Sequence, residues 1–220
     1  LDCTICDEAG QCPLQDYAYK YGPGDSRFEE DKEKAPKKVE FSDKVIFDAE
    51  RCILCTRCTR FFEHVRDCRP IGVQDMGDHS TITLGPNGPI EDPYQMNIID
   101  ICPVGALTSL QQRFMQRVWF MDFADTICPG CSKGCNIQAG AYQGKLKRFE
   151  PRRNPEVNKS WMCDDGRLAF DRYNLTARVR GGRVGGDEAA LSEAHAKVNE
   201  LVGDGAGVGV LASTMNTCED

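Results

Sequence analysis

Apolar residues recur at helical spacing late in the chain. In DEAALSEAHAKVNELV, Ala190, Leu191, Ala194, Val198, Leu201 and Val202 share one face and predict a helix. The apolar run GVGVLAST after it predicts a buried strand, and helix followed by strand predicts the opening of an α/β domain. Upstream, IQAGAYQGKLKRFEP predicts a β-hairpin turning at Gln143–Gly144. VIFDAERC, from Val45 to Cys52, predicts a strand running into a turn. A short TIT strand sits among Gly, Pro and Asn punctuation in the loop-rich stretch 76–93. Leu14 to Tyr21 and TRFFEHV predict short helices, and SLQQRFMQRVWFM predicts an amphipathic helix over 109–121. Residues 29–40 are mostly charged and predict an exposed linker; ARVRGGRVGGD, 177–187, predicts a flexible or hairpin connector.

Bulk composition changes this picture little until the cysteines are counted. The 220 residues suffice for one or two ordinary domains. With 27 Lys+Arg against 34 Asp+Glu the formal charge is −7, which argues against a general nucleic-acid binder. Hydrophobic residues make up 40%, and no run approaches the roughly 18 apolar residues of a membrane span. No signal-peptide apolar core is visible either. The chain starts at Leu1 rather than Met and stops at Asp220 just after the expected strand, so the expectation is an internal piece of a longer polypeptide. The 13 cysteines are a heavy load. An odd number, a long chain and no export signal all oppose a disulfide scaffold. Cys-x-x-Cys recurs at Cys3–Cys6, Cys52–Cys55, Cys55–Cys58 and Cys128–Cys131, a spacing that lets several thiolates face one metal centre.

The second cysteine group carries an argument of its own. Cys52, Cys55 and Cys58 stand as C-x₂-C-x₂-C, the start of the bacterial ferredoxin motif C-x₂-C-x₂-C-x₃-C-P, whose fourth cysteine ligates the other cluster in two-cluster ferredoxins. The fourth position here is Phe62, and Cys102-Pro103 stands far downstream. Counting back from Cys102 by the same spacing gives Asp92, Gln95 and Ile98. The pattern is that of two ferredoxin motifs with one cluster erased: Cys52, Cys55, Cys58 and Cys102 survive together, while Phe62, Asp92, Gln95 and Ile98 mark the lost site. Four thiolates suit a [4Fe–4S] cube, one per iron; four-cysteine zinc is the competing reading.

Cys128, Cys131 and Cys135, as C-x₂-C-x₃-C, with Cys163 in WMCDDGR, again suit a [4Fe–4S] cube, with a zinc ribbon as runner-up. This spacing, the hairpin with Gly144-Lys145, and the stretch from Glu150 to Asn158 resemble the N-terminal cluster domain of molybdopterin-dependent oxidoreductases. Cys3, Cys6 and Cys12 lack a fourth partner nearby. Cys68, Cys218, His64, His79 and His195 are free candidates, each better explained as structural or surface; a fourth ligand upstream of Leu1 is preferred.

LDCTICDEAGQCPLQD, RCILCTRCTRFFEHV with NIIDICPVGALTSLQQRF, and ICPGCSKGCNI with WMCDDGR resemble, in the same order, three motifs of the large iron–sulfur (G or 75 kDa-type) subunit of respiratory complex I. The resemblance covers nearly the whole chain. It implies an α+β fold: a His-Cys₃ [4Fe–4S] segment at 1–40, a ferredoxin-like [4Fe–4S] domain that has lost one cluster at 41–120, a molybdopterin-oxidoreductase-type [4Fe–4S] domain at 121–176, and from 177 to 220 a connector and the start of an α/β domain. It implies a histidine two residues before Leu1 as fourth ligand to Cys3, Cys6 and Cys12, and a [2Fe–2S] domain further upstream. The implied function is electron transfer from NADH and a flavin subunit toward quinone, through the first two sites, with the third off the main path. The implied partners are the flavin subunit and the quinone-side iron–sulfur subunit, on the cytoplasmic side of a bacterial inner membrane, with no nucleic acid and no transmembrane segment. The same module occurs in NAD-linked formate dehydrogenases and hydrogenases, which are the alternatives; a non-redox zinc scaffold is a third. Arg51, Arg57 and Arg60 border the second group and Lys133 the third, as potential-tuning charges or as a solvated rim. Cys68 and Cys218 receive no role.

Overall fold

The computed structural model describes residues 2–32, 34–175 and 182–203. Helix α1 (Pro13–Tyr21) starts with Pro in its first turn, where a missing N–H costs nothing. After the exposed residues 22–32, three short antiparallel strands form a sheet in the order β1 (Val39–Glu40), β2 (Val45–Phe47), β5 (Leu107–Ser109). Between β2 and β5 lie α2 (Arg57–Val65), the hairpin β3 (Ile71–Gln74) and β4 (Thr81–Leu84), and the single turn α3 (Asn97–Asp100). Their apolar faces close on one core of Phe41, Val45, Phe47, Phe61, Phe62, Ile71, Ile82, Ile90, Met96, Ile98 and Leu107, with Phe41 and Phe47 stacked at 4.8 Å. Cys12 and Val104 belong to the same core, so the first cysteine segment is packed onto this unit.

A second antiparallel sheet follows: β6 (Asp122–Ile127), β7 (Asn136–Tyr142) and β8 (Lys145–Pro151). Its turn uses Gln143 and Gly144, both at positive φ, as a tight two-residue hairpin requires. The short helices α4 (Asp164–Leu168) and α5 (Phe170–Tyr173) pack on β8 around Ile137, Phe149, Met162 and Phe170. A small hairpin, β9 (Gly182–Val184) with β10 (Asp187–Ala189), leads into α6 (Leu191–Val202), which packs on β9. The expected strand GVGVLAST and Cys218 lie outside the described residues. No helix among the described residues is long and apolar enough to cross a membrane.

The elements give the expected α+β class. The helix expected over 109–121 is not there. Residues 110–115 form turns, and Val118–Phe120 a short 3₁₀ segment. Tertiary partners override the helical pattern: the Phe114 N–H donates to Asp7 Oδ1 at 3.0 Å, and the Arg117 guanidinium donates to the carbonyls of Thr4 and Cys6 at 2.7 and 2.6 Å. Phe114 takes φ +59° in doing so, which no helix tolerates.

The two sheets are joined by buried polar groups. Asn97, fully buried, donates to the carbonyls of Tyr94 and Met162 and accepts the Met162 N–H at 3.1 Å. Asp164 accepts the Met96 N–H at 3.1 Å and faces Lys44 Nζ at 3.4 Å; burial still pushes its carboxyl up to about 6. Arg167 pairs through two N–H groups with Asp100, and Phe61 meets Trp161 edge-on at 4.9 Å. Asn97→Ala leaves the Met162 amide and carbonyl buried without partners, at a cost of about 2–4 kcal/mol. The expected result is a lower midpoint in denaturant and faster hydrogen exchange at Met162.

Candidate cysteine-ligated metal centres

Every described cysteine is a free thiol. Cys3 opens a 3₁₀ turn, Cys6 follows it, and Cys12 caps α1. All three line one cavity with Leu14, Arg51, Cys52, Val104 and Gly105. Burial pushes the Cys6 thiol up, and the Glu8 N–H beside it and the Arg51 charge act the other way. Arg51 is held by Asp48 and Asp2, both at 3.4 Å, and donates to the Ile5 carbonyl at 3.1 Å. Its Nη1 is buried without a protein partner. A cavity with three thiols and an orphaned guanidinium N–H fits an anionic thiolate-bound cluster. His64, His79 and His195 are exposed, and none lines this cavity.

The second group gathers as its spacing predicts. Cys52, Cys55, Cys58 and Cys102 line one cavity, otherwise walled mainly by apolar side chains including Phe47, Ile82, Val104 and Leu107. Cys52 follows a 3₁₀ turn capped by Asp48, and its Sγ accepts the Leu54 N–H at 3.4 Å. Leu54 and Thr56 both take positive φ, so the chain wraps the cavity before α2 begins at Arg57. Burial pushes the Cys58 thiol up to about 12, with the nearby Cys102, Cys52 and Cys55 adding to it. Burial likewise raises Cys102 to about 11, although the N–H groups of Val104, Ala106 and Leu107 all point at its sulfur. Cys52, Cys58 and Cys102 resist ionisation, and with N–H donors already aimed at sulfur they suit a cationic iron core that compensates them together.

The four positions of the erased motif are plugged. Phe62 and Ile98 are fully buried in the main core, and Gln95 is 1% exposed. Asp92 is tied to Arg66 at 2.9 Å and accepts the Tyr94 N–H at 2.8 Å.

Cys128, Cys131, Cys135 and Cys163 form the third group. The Cys128 N–H donates to the Cys135 carbonyl at 2.8 Å, closing the loop on itself. Cys163 caps α4, its Sγ accepting the Gly166 N–H at 3.4 Å. A Cβ on Gly166 would stand 3.0 Å from Cys128 Sγ and 3.3 Å from Cys163 Sγ, so the helix start is pressed against both sulfurs. Burial pushes Cys128 and Cys135 up, with their neighbouring thiols contributing, and Lys133 opposes this at Cys135. Cys131 is exposed. Among the described residues no three His, Cys, Asp or Glu side chains converge on a point that a single metal ion could occupy.

Of the basic residues singled out in the sequence, Arg51 faces the first cavity, Arg57 lines the second, Arg60 donates to the Cys55 carbonyl at 3.2 Å, and Lys133 lies beside Cys135. Cys68 lies against the main core, and lines none of these cavities. Gly105 escaped the sequence reading, since only the packing shows its contact with Cys6.

Two groups of free thiols around adjoining cavities, and a third group beside a separate sheet, supply the donor set of an iron–sulfur-binding protein. Family models agree: residues 1–27 match the NADH–ubiquinone oxidoreductase-G iron–sulfur binding region, 42–108 the ferredoxin-like domain of NADH–quinone oxidoreductase subunit 3, and 121–175 the molybdopterin oxidoreductase Fe4S4 domain. The G-type NADH–quinone oxidoreductase subunit of Streptomyces coelicolor is 42% identical over 170 residues, 77% of this chain and 20% of that protein. The G-type subunit of Mycobacterium bovis is 40% identical, over 77% of this chain and 21% of that one, and subunit 3 of Thermus thermophilus 39% identical, over 78% and 23%. A solved NAD⁺-reducing [NiFe]-hydrogenase gives a TM-score of 0.45 at 25% identity, over 53% of this chain and 51% of that one. The chain belongs to the family of large iron–sulfur subunits (G-type or 3) of the NADH–quinone oxidoreductases, and spans about a fifth of the length of the curated relatives it matches.

Cys102→Ser and Cys68→Ser separate a ligand from a bystander. In the full-length subunit, Cys102→Ser is expected to lose the second group's iron and its EPR signal while the third group's remains. Cys68→Ser is expected to keep the full iron content.

Proposed function

We propose that this chain is the part of a complex I-type subunit that relays single electrons from NADH, by way of a flavin subunit, toward quinone. The observation that carries the reading is the adjacency of the first two cavities: Cys52, Ile53 and Val104 line both. In this reading Cys52, Cys55, Cys58 and Cys102 hold one [4Fe–4S] cluster and Cys128, Cys131, Cys135 and Cys163 another. Cys3, Cys6 and Cys12 hold a third with a histidine from the residues preceding Leu1. A bound cluster of this kind supplies reversible one-electron transfer and no bond chemistry. The chain's own residues fix the potentials and exclude water: thiolates as ligands, the N–H groups on Cys52 and Cys102, and the Arg51 charge, which favours the reduced state.

The four segments 1–40, 41–120, 121–176 and 177–220 are the working units of this reading. A [2Fe–2S] domain belongs to the upstream part of the subunit. The partners are the flavin subunit and the quinone-side iron–sulfur subunit of a peripheral arm, on the cytoplasmic face of a bacterial inner membrane.

The third group is assigned a mainly stabilising part. Its fourth cysteine is next to Asp164, and Met162, Asp164 and Arg167 are bonded to the loop that leads to Cys102. Cys131 is the exposed member and its replacement disturbs packing least. In the assembled complex, Cys131→Ser is expected to lose the third cluster's EPR signal while NADH still reduces the first two and quinone turnover stays near the wild-type rate. Abolished turnover with the other two clusters intact would overturn the assignment.

A further inference from the structure

We propose that the turn Cys102–Gly105 is the contact through which an electron passes between the second and first sites, and that Gly105 is the positioning residue that permits it. The inference rests on the reading that both sites carry clusters, and adds the path between them. Cys102 faces the second cavity. Two residues on, Val104 lines both cavities, and Gly105 lines the first. Between them Cys12 Sγ lies 3.8 Å from the Pro103 carbonyl oxygen. Three successive covalent linkages thus run from a candidate ligand of one site to the wall of the other, with a candidate ligand of the first site touching them midway.

Gly105 completes the approach. Its φ is ordinary, so the backbone could carry any residue. What excludes a side chain is space: a Cβ there would overlap the Cys6 sulfur and would stand 3.0 Å from Glu8 Cβ and 3.6 Å from the Glu8 nitrogen. The absence of a side chain brings the Cys6 sulfur into contact with the turn. Restoring ordinary carbon–sulfur contact would need a shift on the order of 1 Å. Tunnelling falls exponentially with gap and runs better through bonds and close contacts than through space, so the missing methyl shortens the path.

The step moves one electron. With clusters held by the two cysteine groups, the second site would lose one electron as the first gained it, with no bond formed or broken and no proton transferred.

The test uses the full-length subunit in its assembled complex, mixed with NADH, freeze-quenched and read by EPR. Gly105→Ala is expected to leave the second site's signal rising at the wild-type rate, to delay the first site's signal several-fold, and to weaken the magnetic interaction between the two reduced clusters. Val104→Ala thins the shared wall without a clash and is expected to delay the first site in the same way; it decides the matter should Gly105→Ala fail to load the first site. Unchanged rates and unchanged magnetic interaction in the loaded variants would overturn the proposal. A wild-type complex with no [4Fe–4S] signal from these sites would overturn the underlying reading instead.

Discussion

Thiolates repel one another and resist burial, yet this fold gathers four of them around a largely apolar cavity. Burial and mutual proximity push Cys58 to about 12 and Cys102 to about 11, so these two thiols ionise readily only beside a compensating cationic core. Much of the ferredoxin-like unit follows from holding those four sulfurs. The Asp48 cap delivers Cys52, the positive-φ residues Leu54 and Thr56 bend the chain around the cavity, and α2 carries Cys58 on its first turn. The β2–β5 pairing brings the distant Cys102 turn back beside them.

The stretch from Asp92 to Gly105 carries several of the contacts that join the parts. Its start, where the ferredoxin spacing would place ligands of a second cluster, is filled by Gln95 and Ile98 and capped by the Arg66–Asp92 pair. Its middle, Met96, Asn97 and Asp100, is bonded to Met162, Asp164 and Arg167 of the third group's unit. Its end supplies Cys102 to one cavity and Gly105 to the next. This one stretch thus acts as the joint between the three cysteine groups.

The cysteine groups were legible because most of their cysteines sit at short spacings, and because the lone Cys102-Pro103 could be matched to the missing end of a ferredoxin motif. The hairpin at Gln143–Gly144, the helices at 13–21 and 57–65 and the TIT strand were legible for the same reason: each is specified locally. The turns at 110–115 were not, since Phe114 and Arg117 take their conformations from Asp7, Thr4 and Cys6, about a hundred residues away in sequence. Strand β6 escaped too; its residues are all exposed, so no alternation marks it. The polar joint at Asn97 and Asp164, and the contact of Gly105 with Cys6, exist only in three dimensions.

The central claim is that these thiols hold redox-active iron rather than a structural ion. Anaerobic purification of the chain, with iron, sulfide and zinc analysis and visible spectra before and after dithionite, tests it most directly. The account predicts a brown protein with equal iron and sulfide, whose colour bleaches on reduction. A colourless protein with bound zinc and no acid-labile sulfide would contradict it.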